Sequence, residues 1–221
     1  MKGKLIVIEG LDGSGKATQA QFLYDRLKET KIPAIKISFP NYEDNSSALV
    51  KMYLAGKMGN INQVNVFAAS TFYSVDRYAT FNMYYKKQFD DGTNIVADRY
   101  TTSNIVHQGS KLPNEEQDEY INWLEDLEYD RMELPRPDLV LYMDMEPEIA
   151  RELIQKRYKG NTARMDIHEA DFEYMKQCRH TALLAAEKCG WHIVKCTDGS
   201  KALNAYEISE KIWDIVQKVL V

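Results

Sequence analysis

The sequence predicts an α/β chain in which five short strands form one parallel sheet covered by helices on both faces. Short apolar runs rich in β-branched residues recur at residues 4–9, 33–39, 94–98, 138–144 and 191–196. Stretches with helical spacing separate them, and such alternation folds as a parallel sheet between two helical layers. The first run also passes through a glycine-rich turn, Gly10-Leu-Asp-Gly-Ser-Gly15-Lys16, straight into a helical pattern. Strand, glycine turn and helix form the context in which G-x-x-x-x-G-K acts as a phosphate-binding loop, so the expected architecture is the three-layer P-loop fold.

The first helix is expected over residues 16–30, with Phe22, Leu23 and Leu27 on one face and charges opposite. The second strand, 33–39, ends at Pro40, and a polar loop over 41–47 leads to a short helix over about 47–56 that Gly56 stops. A long helix over 63–87 is crowded with Phe67, Phe72, Tyr73, Tyr78, Phe81, Tyr84 and Tyr85. Helical spacing assigns most of these rings to the core or to a subunit interface. Asp91-Gly92 marks a turn before the third strand, and helices over 101–109 and 114–131 follow it. Pro135 and Pro137 break the pattern before the fourth strand. A helix from Pro147 runs into the basic stretch Lys156–Arg164, and helices over 169–188 and 203–219 flank the fifth strand. No repeat, low-complexity tract or long linker divides the 221 residues, so 1–221 is expected to be a single domain with a lid loop at about 156–168.

Composition narrows the partners. A net charge of -5 argues against a general nucleic-acid or anionic-membrane binder, so an anionic substrate must meet a local cluster of Lys and Arg. Cys178, Cys189 and Cys196 form no C-x-x-C and read as reduced thiols. No apolar run reaches membrane-spanning length, and Leu5–Ile8 is too short for a signal-peptide core. A cytoplasmic location is expected.

Glycines let a backbone curl so that successive N–H groups point inward, and the helix N-terminus adds about half a positive charge. Gly10, Leu11, Asp12, Gly13, Ser14, Gly15, Lys16, Ala17 and Thr18 are therefore expected to hold nucleotide phosphates, with Lys16 reaching the outer ones. Ala17 stands where Ser or Thr commonly gives a hydroxyl to the metal. Ligands of such sheets sit outside the carboxyl ends of the strands. That rule gathers Asp12–Thr18, Phe39–Tyr42, Asp98–Asn104 and the segment after Asp144. Asp98 can face a metal held by the phosphates, and Arg99 can grip a phosphate with its bidentate fork. The plainer use of that pair is a strand-end ion pair that positions the next helix. Arg157 and Arg164 flank Lys159-Gly160 in a loop that reads either as a lid closing over a transferring phosphoryl group or as a solvated basic loop. Tyr73 and Arg77 lie four apart on one helix face and can stack on a base and donate to its exocyclic oxygens.

In order and spacing, these motifs resemble the thymidylate kinase family of nucleoside monophosphate kinases. The resemblance rests on the loop Gly10–Thr18, Phe39-Pro40, Tyr73-Ser-Val-Asp-Arg77, Asp98-Arg99-Tyr100 with Ser103-Asn104, and Pro137-Asp138-Leu-Val-Leu-Tyr. It implies ATP-dependent phosphorylation of dTMP to dTDP with Mg²⁺, usually by a homodimer that buries the aromatic helix. It also implies that Tyr73 carries the base, Arg77 reads its carbonyl edge with Asn104 nearby, and Arg99 holds the acceptor phosphate. Phe39, Pro40, Tyr42, Ser103 and His107 fall in the same acceptor site. Asp12 is placed by the resemblance near the 3′-hydroxyl and the phosphates or metal, beside Asp98. Because Gly13 leaves the loop without an arginine, the resemblance assigns catalysis to a lid arginine, Arg157 or Arg164. The chain departs from the family pattern at Ala17, at Asn41 where an arginine often stands, and at His107 where a tyrosine often crowds the sugar. Another monophosphate or deoxynucleoside as acceptor therefore remains an alternative, as does a nucleotide-binding sensor without efficient transfer. Asp98-Arg99 and the lid arginines favour a kinase, since a sensor needs no second phosphate site.

Overall fold

A computed structural model describes residues 2–60, 63–158 and 171–220. Five parallel strands form one sheet in the order β2-β3-β1-β4-β5: β1 (Leu5–Gly10), β2 (Ala34–Ser38), β3 (Asn94–Asp98), β4 (Leu139–Asp144) and β5 (His192–Lys195). Each lies within two residues of its expected span. Central β1 pairs Val7 with Ala97 on one side and with Val140 on the other.

Apolar residues run continuously over Leu5–Ile8 of β1 because both faces are buried. Leu5 and Val7 join a core with Ile95, Ala97 and residues of α5 (Thr101–His107), α6 (Asn114–Glu125) and α8 (Phe172–Cys189). Ile6 and Ile8 join the opposite core, with Leu23 and Leu27 of α1 (Lys16–Glu29), Ala150 and Ile154 of α7 (Pro147–Arg157), and Ile208 and Ile212 of α9 (Ala205–Val216). The chain leaves β1 toward β2 but leaves β4 toward β5, which opens a crevice at the carboxyl end of β1. Among the described residues no helix is long and apolar enough to cross a membrane.

The aromatic stretch meets its expectation in part. α2 (Ala48–Leu54) precedes it, and the helix then runs without a break from α3 (Val66–Thr80) through a π-turn over Phe81–Tyr85 into α4 (Lys86–Asp90). Of its rings Phe81 is buried in the core and Phe72, Tyr73 and Tyr85 are half-buried, but much of the buried face is polar. Ser70, Ser74, Asp76, Arg77 and Thr80 are buried, whereas Phe67, Tyr78 and Tyr84 are exposed. The inner face of α3 packs against polar groups of the crevice, so polar side chains face inward. Of the expected lid, Lys156 and Arg157 end α7 and Tyr158 follows; residues 159–168, Arg164 among them, lie outside the described residues.

Candidate active site

The crevice holds a cavity of about 630 Å³. Its wall combines Asp12, Gly13, Gly15, Lys16, Ala17 and Thr18 with Phe39, Pro40 and Tyr42, Tyr73 and Arg77, Asp98, Arg99, Ser103, Asn104 and His107, and Arg157. Segments far apart in sequence thus converge as the strand-end rule requires. Gly10, Leu11 and Ser14 do not line it; they are buried behind the loop.

At the phosphate end the backbone turns through left-handed conformations at Gly13 (φ 81°) and Gly15 (φ 87°), which side-chain-bearing residues rarely adopt. Gly13 also lies against α7: an added Cβ would come within 2.4 Å of the Ala150 carbonyl oxygen. Lys16 opens α1, and its Nζ donates to the Leu11 carbonyl at 2.7 Å and stands 3.9 Å from Asp12. Burial, followed by the nearby Arg99 guanidinium, holds the Lys16 ammonium below the usual lysine range.

Arg99 sits just past β3 with φ 70°. Its Nη2 donates to Asp12 at 2.5 Å, and its Nη1 donates to Ser103 Oγ at 3.2 Å and to His107 Nε2 at 3.0 Å. Since the guanidinium only donates, His107 Nε2 accepts and its proton is placed on Nδ1, 3.6 Å from Cys178 Sγ. Beneath lies Glu9, fully buried, 3.5 Å from Arg99 and accepting from Thr102 Oγ1 at 2.7 Å and Ser103 Oγ at 2.6 Å. Burial opposes the charge of Arg99, but Asp12 and then Glu9 outweigh it, so the guanidinium pKa is raised. Asn41 does not line the cavity; its backbone N–H donates to Asp76 at 2.9 Å and ties the loop to α3. Asp98 lines the cavity at the end of β3.

The end of the cavity away from the glycine loop is built differently. Tyr73 presents its ring to the cavity and meets Tyr53 edge-on at 6.3 Å. Arg77 is 1% exposed and bound by Glu128, which is 0% exposed. Nε and Nη2 donate to the two carboxylate oxygens at 2.7 and 2.5 Å, and Nη1 donates to the Tyr100 carbonyl at 3.3 Å. Ser74 and Thr101 hydroxyls also donate to Glu128, at 2.7 and 2.5 Å. Burial acts against the Arg77 charge, and Glu128 overcomes it and raises the pKa. Of the cationic cluster expected from sequence, Lys16, Arg77, Arg99, Arg157 and Arg164, Arg77 is charge-paired with Glu128 and Arg99 with Asp12, and Arg164 lies outside the described residues. Asn104 Nδ2 donates to the Ser70 carbonyl at 3.1 Å. Arg157, at the end of α7, stacks on Tyr158 with 4.8 Å between guanidinium and ring centre.

Sequence reasoning missed Glu9, Glu128 and Gln108. Glu9 had a legible signal, a carboxylate inside an apolar strand, which burial permits only with partners. Glu128 and Gln108 stand in stretches without such contrast.

The thymidylate kinase family model matches residues 8–206. A probable thymidylate kinase of Methanosarcina acetivorans is 28% identical over 99% of this chain and 100% of its own length. The thymidylate kinase of Schizosaccharomyces pombe is 34% identical over 67% of this chain and 64% of its own length. Among solved structures, a thymidylate kinase from Candida albicans superposes with a TM-score of 0.71 at 23% identity, covering 98% of this chain and 92% of that one, a likeness that speaks for the fold. With the match spanning nearly the whole sheet and every strand-end segment that lines the cavity, this chain belongs to the thymidylate kinase family of phosphotransferases.

Proposed function

We propose that the cavity holds dTMP and the phosphates of ATP side by side, and that its residues carry in-line transfer of the γ-phosphoryl group to give dTDP. One observation supports this above the others. A phosphate-binding loop, a second arginine site at Arg99 and an aromatic–polar end at Tyr73 share a single cavity. A nucleotide sensor has no use for the second and third.

The acceptor phosphate is already anionic, so no strong general base is required, and catalysis is a matter of positioning and charge stabilisation. Lys16 and the loop N–H groups hold the ATP phosphates. Arg99 exchanges Asp12, Ser103 or His107 for the acceptor phosphate, which suits a fork with several donors. With Asn41 tied to Asp76, this task rests on Arg99. Arg157 supplies a further guanidinium to the transferring group from the end of α7, in the role foreseen for it or for Arg164. Tyr73 stacks on the base, and Arg77, Asn104 and Gln108 meet its polar edge.

The acidic groups fit Mg²⁺ in one particular way. Among the described residues no three metal-ligating side chains cluster, and Asp12 is drawn to Arg99. Asp98 is left as the carboxylate beside the loop, which suits an ion that keeps waters and phosphate oxygens as its other ligands. When bound, Mg²⁺ neutralises phosphate charge. Asp98 would hold it with little help from Ala17, which has no hydroxyl.

Phe67, Val75 and Tyr78 form an exposed stripe on α3, at helical spacing, and Met83 is exposed in the π-turn that follows. This stripe is the face proposed for the homodimer, and sedimentation of the chain beside a Val75→Asp variant tests it. A coupled assay with ATP and a panel of dTMP, dUMP, dCMP, dGMP, AMP and thymidine tests the reaction itself. Acceptor-dependent ADP formation greatest with dTMP is expected; ADP formed equally without acceptor would overturn the reading.

A further inference from the structure

Behind the base end stands a lysine with no counter-charge in its hydrogen-bond set. Lys111 lies in the turn Gly109–Lys111 after α5. Its Nζ donates to Gln108 Oε1 at 2.8 Å and to the Tyr53 hydroxyl at 2.6 Å, and it sits 5.2 Å from the centre of the Tyr53 ring. Both polar partners are neutral. Burial pushes the Lys111 ammonium down to about 8, so it remains a cation near neutral pH and a strong donor.

Gln108 is fully buried yet lines the cavity, and its Nε2 has no hydrogen-bond partner among the described residues. A buried amide N–H₂ left unpaired costs about 1–3 kcal/mol. A ligand group that accepts from it recovers that cost. An amide can present either its oxygen or its nitrogen to a neighbour by turning over, and only the neighbours decide which. An ammonium has three donors and no acceptor, so it tolerates only the oxygen. Of the other readers at this end, Arg77 is donor-only and cannot be inverted, and Asn104 is already oriented by its Nδ2 donating to the Ser70 carbonyl. Gln108 is the ambivalent one.

We infer that Lys111 is a specificity-determining positioning residue: its donor-only ammonium locks the Gln108 amide with Nε2 toward the cavity, so that the pocket accepts a base edge bearing a carbonyl and rejects one bearing an amino group. This rests on the reading that the acceptor's base occupies this end of the cavity. Thymine and cytosine differ at the 4-position by oxygen against amino nitrogen, groups too alike in size for shape to separate. Shape can sense the 5-methyl group of thymine, but the 4-position is separated by hydrogen-bond polarity, and a site with mismatched donors leaves buried groups unpaired. Without Lys111, Gln108 can turn over and accept from an amino group.

The test is the ratio of kcat/KM for dTMP to that for dCMP in the full-length chain. Where dCMP turnover falls below detection, its inhibition constant against dTMP gives the same comparison. Lys111→Met and Lys111→Gln are expected to lower the ratio by about tenfold, the effect of one mispaired buried group, with KM for ATP unchanged. Lys111→Arg, still donor-only, is expected to keep the ratio within about twofold. A purely structural role for Lys111 would leave the ratio alone, and an unchanged ratio in both the Met and Gln variants overturns the lock. Gln108→Leu separates the two levels of inference. It is expected to raise KM for dTMP by about tenfold. If it does so while the Lys111 variants keep the ratio, the lock alone fails. If it leaves KM unchanged, the base does not meet Gln108, and the reading of the cavity falls together with the proposal.

Discussion

The two ends of the cavity hold their arginines in opposite ways. Arg77 is closed off by one private carboxylate, Glu128, in a pair with side chains 2% and 0% exposed. Arg99 spreads its donors over Asp12, Ser103 and His107, at side-chain exposures of 16% for itself and 26% for Asp12. The first arrangement is saturated and fixed. The second is exchangeable, since an arriving phosphate can take the place of a carboxylate or a ring nitrogen. Reading the polarity of a base requires donors that cannot turn away. Gripping a phosphate requires donors whose partners can be displaced.

The sharpest way to break the contrast is to remove the private counter-charge. Glu128→Ala strands Arg77 as a buried unpaired cation and is expected to cost about 3–5 kcal/mol in chemical denaturation. A loss under about 1 kcal/mol would mean that water reaches this pair in solution. At the other end, Lys16→Ala is expected to lower kcat by on the order of a hundredfold while leaving the fold intact, as loss of a major transition-state contact does. Near-normal turnover would remove Lys16 from the mechanism.

A smaller effect is readable in the pH dependence of stability. Burial pushes the folded-state pKa of Lys111 down to about 8, below the ordinary lysine value of 10.5. Between those values the unfolded chain binds a proton that the folded chain has released, so stability rises with pH across that window. Lys111→Met abolishes this slope, and the variant's stability relative to the parent is expected to fall by about 2–3 kcal/mol from pH 7 to pH 10.5. Thermal melts at several pH values check it, and parallel curves would contradict the burial of Lys111. Arg99→Lys probes the exchangeable end most gently. A point charge replaces the fork, and KM for dTMP is expected to rise about tenfold with KM for ATP little changed. Equal increases for both substrates would place Arg99 elsewhere.

The strands were legible because burial on both faces leaves unbroken β-branched runs, and the P-loop because its glycines sit between a strand and a helix. Arg99 and Asn104 could be placed because strand ends converge in this topology, whereas Tyr73 was placed by its helical spacing to Arg77 and by the family resemblance. Glu128 could not. It lies 51 residues from Arg77, within a charged stretch that reads as a solvated helix, and a π-turn over Asp126–Arg131 interrupts that helix where Glu128 turns inward. Gln108 carries no periodic signal, and the unpartnered state of its Nε2 exists only in the folded chain. The aromatic helix was legible only in part, for a related reason. Spacing finds which residues share a face, while the neighbour decides which face is buried, and here the neighbour is a polar network.

The contact between Gly13 and α7 makes the loop a seat for the helix that ends in Arg157. An added Cβ would meet the Ala150 carbonyl oxygen at 2.4 Å and Ile154 Cγ1 at 2.9 Å, so any side chain at position 13 lifts the helix from its seat. A side chain at position 13, an arginine included, would therefore displace the helix that carries Arg157. The bare glycine keeps that helix in place, and anything Arg157 does at the cavity depends on it.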